Sequence, residues 1–141
     1  MQGHIVELRT LRALCYFMMM DIYGNVPIDT SATNFTPQAN SSRKDVFSFI
    51  ESEVKASLPY LSTTVDVSTY GRITQYGAYA LLAKMYLNAE YYTGTPRWDD
   101  CIAACDAIIN SGKYAFEPRS SYLEMFYPDN GPQMKEFIFA V

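Results

Sequence analysis

The residues able to do chemistry are few, and their spacing suits no known catalytic arrangement. The single histidine, His4, lies beside the start of the chain, where termini fray and a general base has no fixed surroundings. Asp99 and Asp100 are adjacent carboxylates, but neighbouring helical residues point about 100° apart. They cannot flank one bond from opposite sides. At the start of a helix they serve its positive end instead. Cys101 and Cys105 share a helical face among apolar neighbours, and Cys15 sits in an apolar run. All three are expected to be buried free thiols acting as small hydrophobes, since a zinc site needs more Cys or His than this. No glycine-rich phosphate loop and no nucleophile elbow occurs. The expected reading is a non-enzyme with no catalytic residue, metal or cofactor.

Recognition is the remaining possibility, and the aromatics bear on it. The chain holds 12 Tyr, 8 Phe and 1 Trp among 141 residues. Aromatics inside helical segments, Trp98 included, are expected in the core. A few stand at breaks: Tyr70 before Gly71, Tyr91 and Tyr92 before Gly94, and Tyr127 before Pro128. A tyrosine at a turn offers a flat ring and a hydroxyl, which suits the C–H face and hydroxyl rim of a sugar. Tyr70, Tyr91 and Tyr92 are therefore the candidate ligand-binding residues. One ring on one sugar is worth about 1 kcal/mol, against the roughly 4 kcal/mol of millimolar binding. Such rings contribute only as part of a larger site. The net charge of −4 argues against a nucleic-acid partner, which calls for a basic face.

The elements that position these residues follow from periodicity. At 141 residues the chain reads as one domain, 49% hydrophobic and 18% charged, far from a disordered composition. Its longest apolar run, Ala13 to Met20, is much shorter than the roughly 20 residues of a membrane span. The opening Met1-Gln2-Gly3-His4, followed by Glu7 and Arg9, does not read as a secretory leader. Helices are predicted at about 5–23, 42–59, 74–91 and 96–111. In the first, Leu8, Leu11, Cys15, Met18, Met19 and Ile22 form the stripe, and Gly24 ends it. Ser42 caps the second, whose stripe is Val46, Phe47, Ile50, Val54, Leu58 and Leu61, with Glu51, Glu53 and Lys55 facing out. The third buries Ala78, Leu81, Leu82, Met85, Ala89 and Tyr92. Thr95-Pro96 opens the fourth, on the stripe Trp98, Ile102, Cys105 and Ile109. A long polar loop occupies 26–43. Beyond the helices, Ser121 to Glu124 forms a capping box over a short helix, and 136–141 reads as a buried strand. A chain ending inside a buried strand is expected to be part of something longer.

Antiparallel helix pairs with small residues at their crossings suggest a mainly α, tetratricopeptide-like scaffold. Against that frame the chain resembles the SusD/RagB family. Arg12 to Phe17 and Asp21 to Ile28 resemble its helix followed by "YGDVPL". Ser42 to Phe47, with the helix to Leu58-Pro59, resembles the next block, and Gly71 to Thr74 with Ala78 to Leu87 the third. Trp98 to Tyr114 and Glu136 to Phe139 complete the order. Departures are Cys101 and Ile102 where small residues are usual, and Asn25 where Asp is common. The resemblance implies a surface-exposed outer-membrane lipoprotein that captures glycans or other nutrients for a SusC-like TonB-dependent transporter. It implies that this chain supplies helical scaffold, with the membrane reached only through a lipid anchor outside it. The alternative reading is a tetratricopeptide-type protein–protein adaptor. The long loop and terminal strand favour the first, since an adaptor needs short turns and an open helical groove.

Overall fold

A computed structural model describes residues 2–33 and 36–140. Its helices are α1 (Gln2–Tyr23), α2 (Arg43–Ser57), α3 (Gln75–Leu87), α4 (Ala89–Thr93) and α5 (Trp98–Ile109). The only sheet among the described residues is a two-rung antiparallel pair, β1 (Val26–Pro27) with β2 (Asn40–Ser41). The fold is mainly α, as predicted. α1 packs on α2 and α3 on α5, giving two helix pairs of tetratricopeptide type.

The second and third helices form for the reasons their sequences suggest. The Ser42 hydroxyl accepts the Asp45 N–H at 3.2 Å. Val46, Phe47, Ile50 and Val54 are buried, and Leu61 beyond the helix joins them. Pro59 converts the end into a 3₁₀ turn, Leu58–Tyr60. Thr74 caps α3 through the Gly77 N–H, and Ala78, Leu81, Leu82, Met85, Ala89 and Tyr92 are all buried. The third helix does not run unbroken to 91. Asn88 Nδ2 donates to the Lys84 carbonyl at 3.1 Å, the acceptor that the residue's backbone N–H would use in a continuing helix. The chain breaks there and restarts as α4.

Two predicted stripes face the wrong way. α1 buries Val6, Thr10, Ala13, Tyr16 and Met20, while Leu8, Met18 and Ile22 are exposed and so is Cys15. Ala13 to Met20 is apolar around its whole circumference, so hydrophobicity alone sets no phase. The phase is set partly by Thr10, whose hydroxyl donates to the Val6 carbonyl at 2.8 Å and so is buried at little cost. α5 packs through Ala104, with Cys101 half-buried, and leaves Trp98, Ile102 and Ile109 exposed. Small residues win the crossing because they let the α3 backbone approach. α5 also starts later than expected. Arg97, not Thr95, is its capping residue, and Arg97 Nε binds Asp100 in the first turn.

The expected terminal strand is absent from 136–140; Val141 lies outside the described residues. One backbone bond, Ala115 N–H to the Lys135 carbonyl at 3.2 Å, joins the residue just before this segment to residues 113–118. A strand needs a ladder, and here side chains interrupt it. Lys135 N–H goes to Glu117 Oε1 and Glu117 N–H to Glu136 Oε2. The segment is nevertheless seated, since Phe139 packs against the core. A Cβ on Gly77 would meet Phe139 Cβ at an ordinary 3.7 Å but would crowd Ile73 Cγ1 at 3.2 Å, so glycine there makes room for Ile73. Ser121 does not cap the short 3₁₀ helix Tyr122–Phe126; its hydroxyl donates to the Pro118 carbonyl.

Gly24 ends α1 at φ +77, its N–H bonded to the Met20 carbonyl at 2.9 Å. A Cβ there would stand 3.0 Å from Arg43 Nη2. Gly24→Ala combines left-handed strain of about 1–2 kcal/mol with displacement of the Arg43 side chain. A urea midpoint lowered by that free energy divided by the m-value is expected, and an unchanged midpoint would contradict it.

Candidate functional site

The three candidate tyrosines divide between two places. α4 decides the first. It is a single turn, closed by Gly94 at φ +78, whose N–H bonds the Glu90 carbonyl at 2.8 Å. Adjacent residues on it point about 100° apart. Ala89 and Tyr92 face inward, so Tyr91 faces out. Tyr92 is 7% exposed and Tyr91 75%.

Tyr92 is therefore a core residue, and the expectation that a turn keeps its ring exposed fails here. Its hydroxyl donates to Asp21 Oδ1 at 2.6 Å. Burial, with the Asp21 carboxylate adding to it, holds the phenol well above its ordinary value. The ring meets Phe17 edge-on and Phe47 at a tilt, fastening α4 to α1 and α2. Tyr91 stands beside it, ring centroids 5.8 Å apart. The Arg43 guanidinium lies 4.9 Å from the Tyr91 centroid and 5.8 Å from that of Tyr92. The Arg43 backbone is anchored in turn, its main-chain N–H donating to Asn25 Oδ1 at 2.9 Å. The result is an exposed ring supported by a cation. Cation–π contacts of this kind are worth about 0.5–1 kcal/mol at the surface, enough to bias the ring's orientation.

Tyr70 belongs elsewhere. It follows the 3₁₀ turn Val67–Thr69, which Asp66 caps, and precedes Gly71 at φ +75. It is 42% exposed and lines a cleft of about 330 Å³ between this loop and residues 132–140. Neither Tyr91 nor Tyr92 reaches that cleft. Arg72, Lys113, Tyr114, Gln133 and Lys135 line it with Tyr70. Arg72 is committed to Glu7, with Nη2–Oε1 at 2.6 Å and Nε–Oε2 at 3.2 Å. Tyr114 stacks edge-on to Tyr76 at 5.6 Å, and burial raises its phenol. The cleft sits at the small end of ligand-pocket volumes. Periodicity missed it because its walls come from loops distant in sequence. Tyr70-Gly71 was the one legible sign.

No group of three metal-ligating side chains occurs among the described residues. Asp99 and Asp100 lie in the first turn of α5, as expected. Among the described residues, no helix is long and apolar enough to cross a membrane.

Comparison with known proteins matches residues 9–87 to a SusD-like family model described as starch-binding, associating with the outer membrane. The chain is 26% identical over 138 residues to the starch-binding protein SusD of Bacteroides thetaiotaomicron, covering 96% of this chain and 24% of that protein. It is 36% identical over 139 residues to a SusD-like protein of Bacteroides ovatus, covering 92% and 24%. Its fold superimposes on the crystal structure of a SusD-like carbohydrate-binding protein from Bacteroides fragilis with a TM-score of 0.84 at 25% identity, covering 98% of this chain and 26% of that one. The chain thus spans about a quarter of the length of these relatives.

Proposed function

The chain belongs to the SusD-like family of starch-binding proteins that associate with the outer membrane, and from that premise we propose that it serves the non-enzymatic capture of a glycan nutrient at the cell surface. In this reading the 141 residues form the helical scaffold of a longer surface-exposed lipoprotein. That protein hands its ligand to a SusC-like TonB-dependent transporter. The observation that carries the reading is the match to starch- and carbohydrate-binding relatives over nearly the whole chain. Two features of the surface support it. Leu8, Met18 and Ile22 on α1, and Trp98, Ile102 and Ile109 on α5, are exposed apolar side chains on helices, as expected of a scaffold that packs against further protein. Tyr91 offers an exposed ring already oriented by Arg43.

Calorimetry of the longer protein with a panel of oligosaccharides tests this. Binding is expected, with Tyr91→Ala weakening it a few-fold, in line with the ~0.5–1.5 kcal/mol of an aromatic contact. Full affinity in Tyr91→Ala would remove that ring from the site. Absence of binding across the panel would overturn the reading.

A further inference from the structure

We infer that the cleft beside Tyr70 is a subsite for an anionic saccharide, one bearing carboxylate or sulfate groups. The inference deepens the glycan-capture reading and rests on it. The chain carries a net charge of −4 with only 11 basic residues, yet Arg72, Lys113 and Lys135 all line this one cleft. Arg72 is neutralised by Glu7. Lys113 and Lys135 are exposed and take part in none of the ion pairs among the described residues. Asp66 is the one acidic side chain in the lining. Its Oδ1 serves as a cap, accepting the Ser68 N–H at 2.7 Å and the Ser68 hydroxyl at 2.5 Å, and its charge offsets one lysine, leaving the cleft with a cation in excess. The nearby Glu117 and Glu136 line no part of the cleft; they accept the Lys135 and Glu117 backbone N–H groups.

Two lysines outside every ion pair described, whose ammonium groups donate hydrogen bonds and accept none, therefore line a cleft walled partly by Tyr70 and Tyr114. A neutral sugar gives those cations no counter-charge. A uronate or sulfated sugar stacks on a ring and gives each ammonium a charge-assisted bond. The Gln133 amide supplies both a donor and an acceptor for hydroxyls.

The test is an NMR titration of the longer protein, selectively labelled at tyrosine, glycine and glutamine, at low salt with trigalacturonate, with its full methyl ester, and with a sulfated galactose disaccharide. The ester keeps the sugar's shape and removes its charge. Trigalacturonate is expected to bind several-fold more tightly than its ester and to shift the resonances of Tyr70, Gly71 and Gln133. Lys113→Gln and Lys135→Gln should each weaken it roughly three-fold, the range of an exposed ion pair. Raising the salt to 0.5 M should erase the preference. The sulfated disaccharide tells which anion the site prefers. Equal binding of acid and ester would overturn the anionic subsite and leave glycan capture standing. Binding of neither acidic ligand would overturn it too, while the oligosaccharide panel and Tyr91→Ala decide the glycan reading separately.

Discussion

Leu82→Asp is expected to leave the chain unfolded at room temperature. Leu82 lies in the middle of α3 and is 3% exposed, among Ala78, Leu81, Met85 and Tyr86, all buried. α3 touches both α1 and α2 and pairs with α5, so the site cannot relax by shedding one neighbour. A carboxylate placed there has no cation in the core cluster to meet it. It must stay charged without a partner, or take up a proton, at a cost of several kcal/mol. That matches most of the ~5–15 kcal/mol margin of a small domain. Leu82→Ala isolates the cavity effect and should cost about 2–5 kcal/mol. Circular dichroism with thermal melting checks both, and a melting temperature unchanged in Leu82→Asp would show that α3 does not sit where described.

Loss of the Glu53 carboxylate is expected to be the next most damaging change. Its side chain, on α2, receives Arg9 Nη2 at 2.6 Å and Arg12 Nη2 at 2.5 Å, both from α1. Arg9 Nε adds a third bond at 3.2 Å. The bond from Arg9 holds the carboxyl below its ordinary value, with burial opposing and Arg12 assisting. Hydrogen bonds to charged groups contribute about 1.5–3 kcal/mol. Both arginines can partly rehydrate, so Glu53→Gln should cost about 2 kcal/mol. The sign in acid follows. The folded carboxyl titrates lower than the unfolded one, so its contribution is full above the unfolded value of about 4.3. It is lost as the pH falls through the lower folded value. Wild type should therefore lose stability below about pH 4, and Glu53→Gln should lose less over the same interval. Equal acid sensitivity in the two proteins would show that the α1–α2 clamp contributes nothing.

That clamp was illegible in the sequence. Glu53 falls between the buried Val46–Ile50–Val54 stripe and the outer face of α2, and charge alone assigned it to solvent. Only the α1 phase brings Arg9 and Arg12 opposite it, and the phase of α1 was itself hidden by an apolar run with no polar side. α3 was legible because its buried residues Ala78, Leu81, Leu82 and Met85 recur at three- and four-residue steps. α5 misled because its largest apolar residues are not the ones at the crossing. Of the candidate tyrosines, Tyr91 and Tyr70 are exposed as their turn positions suggested. Tyr92 differs because one helical turn, α4, separates it from its neighbour by about 100°. Asn25 Oδ1 accepts the Arg43 backbone N–H, a bond that an aspartate oxygen could accept equally well.

The long connection after α1 carries a consequence for how the surface can change. Its two ends are paired as β1 and β2, Val26 opposite Ser41 and Pro27 opposite Asn40. The Tyr16 hydroxyl fixes the departing strand, accepting the Asp29 N–H and donating to its carbonyl, both at 2.9 Å. Closure is thus settled before the tip begins. Doubling the length of an already closed loop costs only about 0.6 kcal/mol. This is where residues can be inserted with little effect on folding: a fluorophore-binding tag between Gln38 and Ala39, both exposed, should leave the melting temperature within a few degrees. It is equally where related chains are free to diverge in length, so that one helical frame can carry different outer loops.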